Sequence, residues 1–318
     1  MLIVQKFGGS SLAGAERLRR AASIIADSAD AGNKVVAVVS ARGDMTDELL
    51  GQARRISADP PVRELDALLS CGETGSAAMT AMQLADIGKR CVSLTGAQAG
   101  ILTDGVHGAA RILSIDTARI MRELDAGKIV VAAGFQGAER SGDTTTLGRG
   151  GSDTTAVELA AALKADRCEI YSDVDGIYTA DPRLVTGAVR LDSIDYGDML
   201  HLALHGSQVL HSRSVEAAMR ANVRVHLLSS FTRHEGTVMC KLDDRSGLCG
   251  VTRDPSLGTV SIIGREADAH VLAEAVAALA HSDIIVGATE LFDGGCSLFV
   301  SPDRLLPALE ITHRRFFR

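Results

Sequence analysis

Short apolar segments alternate with longer amphipathic segments over the first 235 residues of the chain. The apolar segments are hydrophobic throughout rather than at every second position, which is typical of strands buried on both faces of a parallel sheet. The longer segments between them carry helix-start and helix-stop residues, such as Asp116 and Gly127. This alternation predicts an α/β fold, a three-layer αβα sandwich around a mainly parallel sheet. The predicted strands are residues 2–7, 34–40, 90–94, 128–135, 167–172 and 223–229.

The pattern changes after a polar stretch at residues 233–247. The remaining residues are patterned as strand, strand, helix, strand, strand, helix, which predicts a small α+β domain of normal size. We therefore expect one domain at residues 1–240 and a second at residues 247–318.

Composition disfavours three classes of protein: nucleic-acid binders, membrane-spanning proteins and secreted proteins. The net charge of −7 disfavours a general nucleic-acid binder, which usually carries a basic face. No apolar run approaches the ~20 residues that span a bilayer, and no secretory signal is visible. The six cysteines are widely spaced, so we expect reduced, mostly buried thiols in a cytoplasmic protein. Cys71 is expected to be a small buried packing residue, and His201 and His205 ordinary helix residues rather than zinc ligands.

Two glycine-rich segments are candidates for anion binding. KFGGSS (residues 6–11) follows a predicted strand and opens a helix, where glycines and free N–H groups can hold phosphate. Taken alone, an ordinary tight turn with an exposed lysine explains it equally well. The segment TTTLGRGGSDTTA (residues 144–156) adds Arg149, whose planar fork suits a carboxylate or phosphate. Ser152 and Asp153 could simply cap the following helix, but a cap needs one residue rather than ten polar and glycine positions.

These segments occur in an order that resembles the aspartate kinases of the amino acid kinase family. The resemblance covers roughly residues 1–240, and the segments at residues 144–156 and 172–183 are its most specific parts. It implies the αβα sandwich and transfer of the γ-phosphoryl group of ATP to a carboxylate. The segments that carry it are VQKFGGSS, GDMTDELL, CGET, TTTLGRGGSDTTA, SDVDGIYTADPR and HGSQVLHSRSVEAA.

The resemblance also implies roles for individual residues. Lys6 and Asp153 match the catalytic positions, and no residue is expected to bind a metal by itself. The amino-acid substrate is expected to bind Ser40, Thr46, Glu73, Arg149 and Ser152, with Arg149 on its α-carboxylate and Glu73 on its ammonium. The expected ATP-binding residues are Lys6, Gly8, Gly9, Ser10, Ser172, Asp173, Tyr178, Arg183 and Gln208.

The implied ligands are ATP, Mg²⁺ and L-aspartate, in a homodimer. Mg²⁺ is expected to be held largely by ATP and water.

Two departures from the family pattern leave alternatives open. Gln208 stands where the family usually has a lysine near the nucleotide phosphates, and the loss of that cation is expected to lower the rate or to be compensated by Arg183 or Arg213. The C-terminal region has room for about one ACT-like module instead of two, which predicts weak feedback regulation. The alternatives to an aspartate kinase are the same chemistry on another small amino or carboxylic acid, or a catalytically weak regulatory homologue.

Overall fold

The computed structural model describes residues 1–232 and 234–317, and the chain groups into two compact units. The first unit comprises Met1–Asp175 and Arg220–His234, and the second comprises Gly176–Met219 and Glu235–Arg318. Residues 176–219 therefore pack with the C-terminal part of the chain, whereas the sequence places them in a domain that ends near residue 240. The functional division into residues 1–240 and 247–318 stays a prediction.

The secondary structure consists of short strands and ten helices in the described residues. The strands are β1 (Leu2–Phe7), β2 (Lys34–Val39), β3 (Cys91–Leu94), β4 (Ile101–Thr103), β5 (Ile112–Ile115), β6 (Ile129–Ala133), β7 (Gln136–Ala138), β8 (Thr144–Thr146), β9 (Arg167–Ser172), β10 (Ser193–Ile194), β11 (Val225–Ser229), β12 (Thr237–Met239), β13 (Gly250–Asp254), β14 (Thr259–Ile263), β15 (Ala288–Phe292) and β16 (Gly295–Phe299). The helices are α1 (Gly9–Leu12), α2 (Gly14–Asp30), α3 (Met45–Ile56), α4 (Val62–Asp86), α5 (Ala118–Asp125), α6 (Gly151–Leu163), α7 (Tyr196–Leu204), α8 (Ser212–Ala221), α9 (Ala269–Ala280) and α10 (Leu305–Phe316), with a 3-10 turn at Pro302–Arg304.

The first unit contains a parallel sheet in the order β11-β9-β1-β2-β6-β3. These six strands are the six predicted from the sequence, and their bounds differ from the prediction by at most two residues. Successive residues of a strand point to opposite faces, and both faces are buried here. On one face Phe7, Val35 and Val131 pack against α2 and α4. On the other face lie Val4, Val36 and α6, so the expected three-layer αβα sandwich is confirmed.

A second sheet in the same unit was not predicted. Its order is β5-β4-β7-β8, and each strand has only three or four residues. Runs of three or four residues are too short to show a recognisable alternation of apolar and polar positions. The last of these strands leads directly into the glycine-rich loop before α6.

The second unit is built on an antiparallel sheet in the order β13-β14-β16-β15. Its elements follow the predicted order of strand, strand, helix, strand, strand, helix. Buried Val260, Ile262 and Leu298 form a core with α9 and α10. Ala180 and Val185, which precede the sheet by more than sixty residues, belong to this same core. That packing is the reason why residues 176–219 group with the C-terminal part.

The six cysteines form no disulfide. Cys168 and Cys296 are buried, but Cys71 is exposed, so the prediction that it packs inside is wrong. Cys71 lies on the solvent side of α4, on a face different from that of buried Glu73. Within the described residues, no helix combines the length and apolar character needed to span a bilayer.

Candidate active site

A pocket of about 640 Å³ opens in the first unit, next to the carboxyl ends of β1 and β2. It brings together side chains that are far apart in the sequence, from two strands, three helices and the loop before α6. Every residue that the sequence assigns to catalysis or to the amino-acid substrate lines it, although the role of each stays a prediction. These residues are Lys6, Ser40, Thr46, Glu73, Arg149, Ser152 and Asp153.

Lys6 and Asp153 form an ion pair inside this pocket. The lysine Nζ lies 2.6 Å from the Asp153 Oδ1, and the two side chains are only 10% and 14% exposed. Lys6 occupies the face of β1 that is covered by α6, and Asp153 lies in the first turn of that helix. The carboxylate therefore fixes the position of the ammonium group. The pair thus positions a cation beside the start of α6, the end of the helix dipole that attracts anions.

The glycine pair after β1 allows two loops to approach each other closely. A Cβ at Gly9 would lie 2.5 Å from the carbonyl oxygen of Ala41, so only glycine fits without a shift. The Gly8 N–H donates to the carbonyl of Tyr171, which connects this turn to the end of β9. Gly8, Gly9 and Ser10 thus lie at the carboxyl edge of the parallel sheet, where anionic ligands bind in folds of this type.

Glu73 is a buried carboxylate with one unpaired oxygen. It lies on α4 and is only 4% exposed. Its Oε1 accepts a hydrogen bond of 2.9 Å from the N–H of Ala41, whereas Oε2 has no partner among the described residues. Burial raises the pKa of Glu73 to about 7. A buried carboxylate with an orphan oxygen on a pocket wall is suited to receive a cationic group.

Arg149 is an exposed cation, in contrast to the buried carboxylate of Glu73. Its side chain is exposed, and it makes no hydrogen bond or ion pair with any residue in the described part of the chain. Its neighbours Gly148 and Gly150 have φ values of 74° and 70°, the left-handed region that glycine tolerates best. The loop thus presents the guanidinium at the pocket, free to bind an anion.

The N-cap of α6 is a glycine rather than one of the polar residues that the sequence offers. Gly150 is the N-cap residue, and no side chain caps the helix. Ser152 and Asp153 lie inside the first turn, so the alternative that they serve as caps is wrong. Ser152 is buried and packs against Gly134, where a Cβ would lie 2.9 Å from its Oγ.

Two pocket residues were missed from the sequence. Phe135 has a φ of 67°, a strained conformation for a bulky residue, and its N–H donates to the Thr155 Oγ1 at 3.1 Å. Asp66, only 1% exposed, accepts hydrogen bonds from the Gly108 N–H and the Thr146 Oγ1. It also lies 2.7 Å from the His107 Nδ1. Asp66 lies seven residues before Glu73, on the same face of α4, and that spacing was the available signal for the second.

The predicted nucleotide-binding residues are divided between the two units. In the first, Ser172 ends β9 and Asp173 follows it, beside the turn at Gly8. A further residue that the sequence did not indicate, Ser230, connects this region. Its Oγ lies 2.7 Å from the Ser11 Oγ and donates to the carbonyl of Ser172.

In the second unit, Tyr178 forms an antiparallel bridge with Arg190, and Arg183 pairs with Asp181 at 2.8 Å. Gln208 is exposed between α7 and α8. In this unit the ring of His205 stacks on Phe292, and the ring of His201 is tilted against Phe292. No group of three or more metal-binding side chains occurs in the described residues.

Comparison with known proteins identifies the family. The model of the amino acid kinase family matches residues 1–229. The aspartokinase of Mycolicibacterium smegmatis is 48% identical over 290 residues, which cover 89% of this chain and 69% of that protein. This chain belongs to the amino acid kinase family, among the aspartokinases. The predicted resemblance is therefore confirmed.

Solved structures agree with that membership. The aspartate kinase of Synechocystis is 37% identical with a TM-score of 0.70, and the match covers 99% of this chain and 55% of that one. Aspartokinase III of E. coli, solved with aspartate and ADP, is 26% identical with a TM-score of 0.72. That match covers 95% of this chain and 79% of the E. coli chain. The chain thus spans little more than half the length of the Synechocystis aspartokinase.

Proposed function

We propose that this chain transfers the γ-phosphoryl group of ATP to the side-chain carboxylate of L-aspartate, giving 4-phospho-L-aspartate and ADP. The observation that carries the proposal is the pocket in which the Lys6–Asp153 pair, the orphan oxygen of Glu73 and the unpaired Arg149 meet. Membership among the aspartokinases supports it independently.

The pocket offers complementary charges to an amino-acid zwitterion. The ammonium group of aspartate would bind the Oε2 of Glu73 and restore the negative charge that burial disfavours. The α-carboxylate would bind Arg149 through paired hydrogen bonds. Ser40, Thr46 and Ser152 offer hydroxyl groups along the same walls. The side-chain carboxylate is then directed away from these anchors, toward the phosphoryl group.

The chemical step needs positioning rather than proton transfer. A carboxylate oxygen of aspartate forms a bond to the γ-phosphorus, the bond from that phosphorus to the bridging oxygen breaks, and its electron pair stays on ADP. The attacking carboxylate, with an ordinary pKa of about 3.9, is already ionised near neutral pH, so no general base is required. Lys6 would stabilise the charge on the phosphoryl oxygens, and Asp153 would hold Lys6 in place.

The nucleotide is expected to lie along Gly8, Gly9 and Ser10, with Ser172 and Asp173 beside them, while Tyr178, Arg183 and Gln208 stay predicted contacts. The residues fit a magnesium ion held largely by phosphates and water, because such sites need only one or two carboxylates, and the Asp153 carboxylate that pairs with Lys6 lies in the pocket. That ion would neutralise charge on the β- and γ-phosphates. We further expect a cytoplasmic homodimer.

An ATP-dependent hydroxamate assay with a panel of amino acids tests the proposal. Hydroxylamine traps an acyl phosphate, so L-aspartate should give a signal that requires both ATP and Mg²⁺. A signal from a different acid would select the alternative acceptor. Binding of ADP and aspartate without any trapped product would instead select the catalytically weak homologue, which the exposed Gln208 motivates.

A further inference from the structure

Thr179 is held by hydrogen bonds through all of its polar groups. Its backbone N–H donates to the carbonyl of Val189 at 2.9 Å, and its carbonyl accepts from the N–H of Val251 at 2.7 Å. Its Oγ1 accepts from the N–H of Val189 at 3.0 Å and lies 2.8 Å from the Nε2 of His313. Thr179 and His313 are 5% and 2% exposed, so these bonds are shielded from water.

The Thr179 hydroxyl can bond the His313 ring in either neutral tautomer. It accepts from the Val189 N–H, and its remaining lone pair and proton allow it either to donate to the Nε2 of His313 or to accept from an Nε2–H. Burial lowers the pKa of His313, which favours the neutral ring.

This contact joins the C-terminal helix to a predicted nucleotide-binding segment. Thr179 directly follows Tyr178, and Arg183 comes four residues later. Downstream on the same segment, Val185 is buried in the core that contains Leu309 of α10. Two kinds of interaction, one polar and one apolar, thus make the shape of this segment depend on α10.

We propose that His313 is a positioning residue for nucleotide binding, because its ring holds the Thr179 hydroxyl and so the backbone beside Tyr178. This inference rests on the proposed function in one respect, the assignment of Tyr178 and Arg183 to the nucleotide. It gives the C-terminal helix a task in the reaction, separate from any binding of an allosteric effector.

The test uses hydroxyl removal at two buried threonines of the full chain. Thr179→Val deletes the bonds of the hydroxyl to His313 and to the Val189 N–H, Thr179→Ser keeps both, and the His313 variants isolate the bond to the ring. Thr312→Val is the matched control, because Thr312 is the neighbour of His313 on α10, is fully buried, and has an Oγ1 with no partner among the described residues. His313→Gln, which retains an acceptor, and His313→Leu, which does not, repeat the comparison from the other side.

The Kd for ADP, measured without aspartate, is the primary readout, and the KM values for ATP and aspartate are the second. We expect Thr179→Val to weaken ADP binding about tenfold, the equivalent of one buried hydrogen bond, and Thr179→Ser and Thr312→Val to change it less than about twofold. The KM for aspartate should stay unchanged, a selectivity that a general loss of stability does not produce. His313→Leu should weaken ADP binding and His313→Gln should largely restore it.

The proposal is overturned if Thr179→Val binds ADP like wild type, or if the KM values for ATP and aspartate rise together. Because ADP binding needs no phosphoryl transfer, failure of the proposed function is a separate result. A wild-type protein that phosphorylates no acid but shows the ADP series above would refute the kinase reaction and support the role of His313.

Discussion

Replacement of Glu73 by glutamine should stabilise the free protein at alkaline pH while weakening its binding of the amino acid. Glu73 is only 4% exposed, and burial raises its pKa from 4.5 to about 7. Between those two values the folded protein holds a proton that the unfolded chain has released. Stability therefore falls as the pH rises from about 4.5 to 7, and the full cost is present above pH 7.

The size of the effect follows from the shift. The pKa values of 4.5 and about 7 differ by 2.5, which lowers the free energy of unfolding by about 3 kcal/mol at about 1.36 kcal/mol per pKa unit. Of this loss, about 2.5 kcal/mol develops between pH 5 and pH 8. Glutamine does not ionise, so Glu73→Gln removes this pH-dependent cost. Its amide still accepts from the Ala41 N–H but adds a donor without a partner, at a pH-independent cost of about 1–3 kcal/mol.

The cost of the unpaired amide donor is the same at every pH. It therefore cancels when the difference in unfolding free energy between variant and wild type at one pH is subtracted from the difference at another. Urea denaturation at pH 5 and pH 8 without ligands should show the variant gaining about 2–3 kcal/mol relative to wild type over that interval. Glu64→Gln is the control, because that side chain lies on the same helix but is 62% exposed. If the stability of the variant and of wild type depends equally on pH, the raised pKa of Glu73 is refuted. If the affinity for aspartate is unchanged, the binding of the substrate's ammonium group by Glu73 is refuted.

Three further results are expected. Lys6→Ala and Asp153→Ala should each lower kcat severely without unfolding the protein, because they remove the buried cation or its anchor, and unchanged turnover at saturating ATP and aspartate would contradict this. Arg149→Ala should mainly raise the KM for the amino acid; an unaltered KM would place the α-carboxylate elsewhere. Gln208→Lys should raise kcat several-fold by adding charge near the leaving phosphate; if wild type is active and the variant is no faster, position 208 does not limit the rate.

The parallel sheet was predictable because its strands are buried on both faces. Segments such as residues 34–39 are apolar at nearly every position, a pattern that leaves few alternatives in a chain with intervening helices. The glycine loops were also visible, since the close approach at Gly9 and the left-handed residues beside Arg149 demand glycine. That Lys6 of the first segment and Arg149 of the second line one pocket followed from the family resemblance and not from spacing.

Other features depend on contacts that no local pattern encodes. The left-handed Phe135 contradicts its own backbone preference and is held by its surroundings, including the Thr155 hydroxyl. The hydroxyl contact between Ser11 and Ser230 joins residues more than two hundred positions apart. Residues 176–219 read as a continuation of the α/β pattern, yet their apolar side chains complete the core of the C-terminal sheet. Long-range packing decided these cases.

The discontinuity of both units has a consequence for the order in which the protein is made. Ala180 and Val185 leave the ribosome well before Leu309, the residue of α10 with which they share a core. At about 5–20 residues per second, the intervening stretch takes on the order of ten seconds to synthesise. During that interval the core that the segment carrying Tyr178 joins is incomplete. The first unit likewise gains β11 only after residues 176–219 have emerged, so neither unit can be completed as one uninterrupted length of nascent chain.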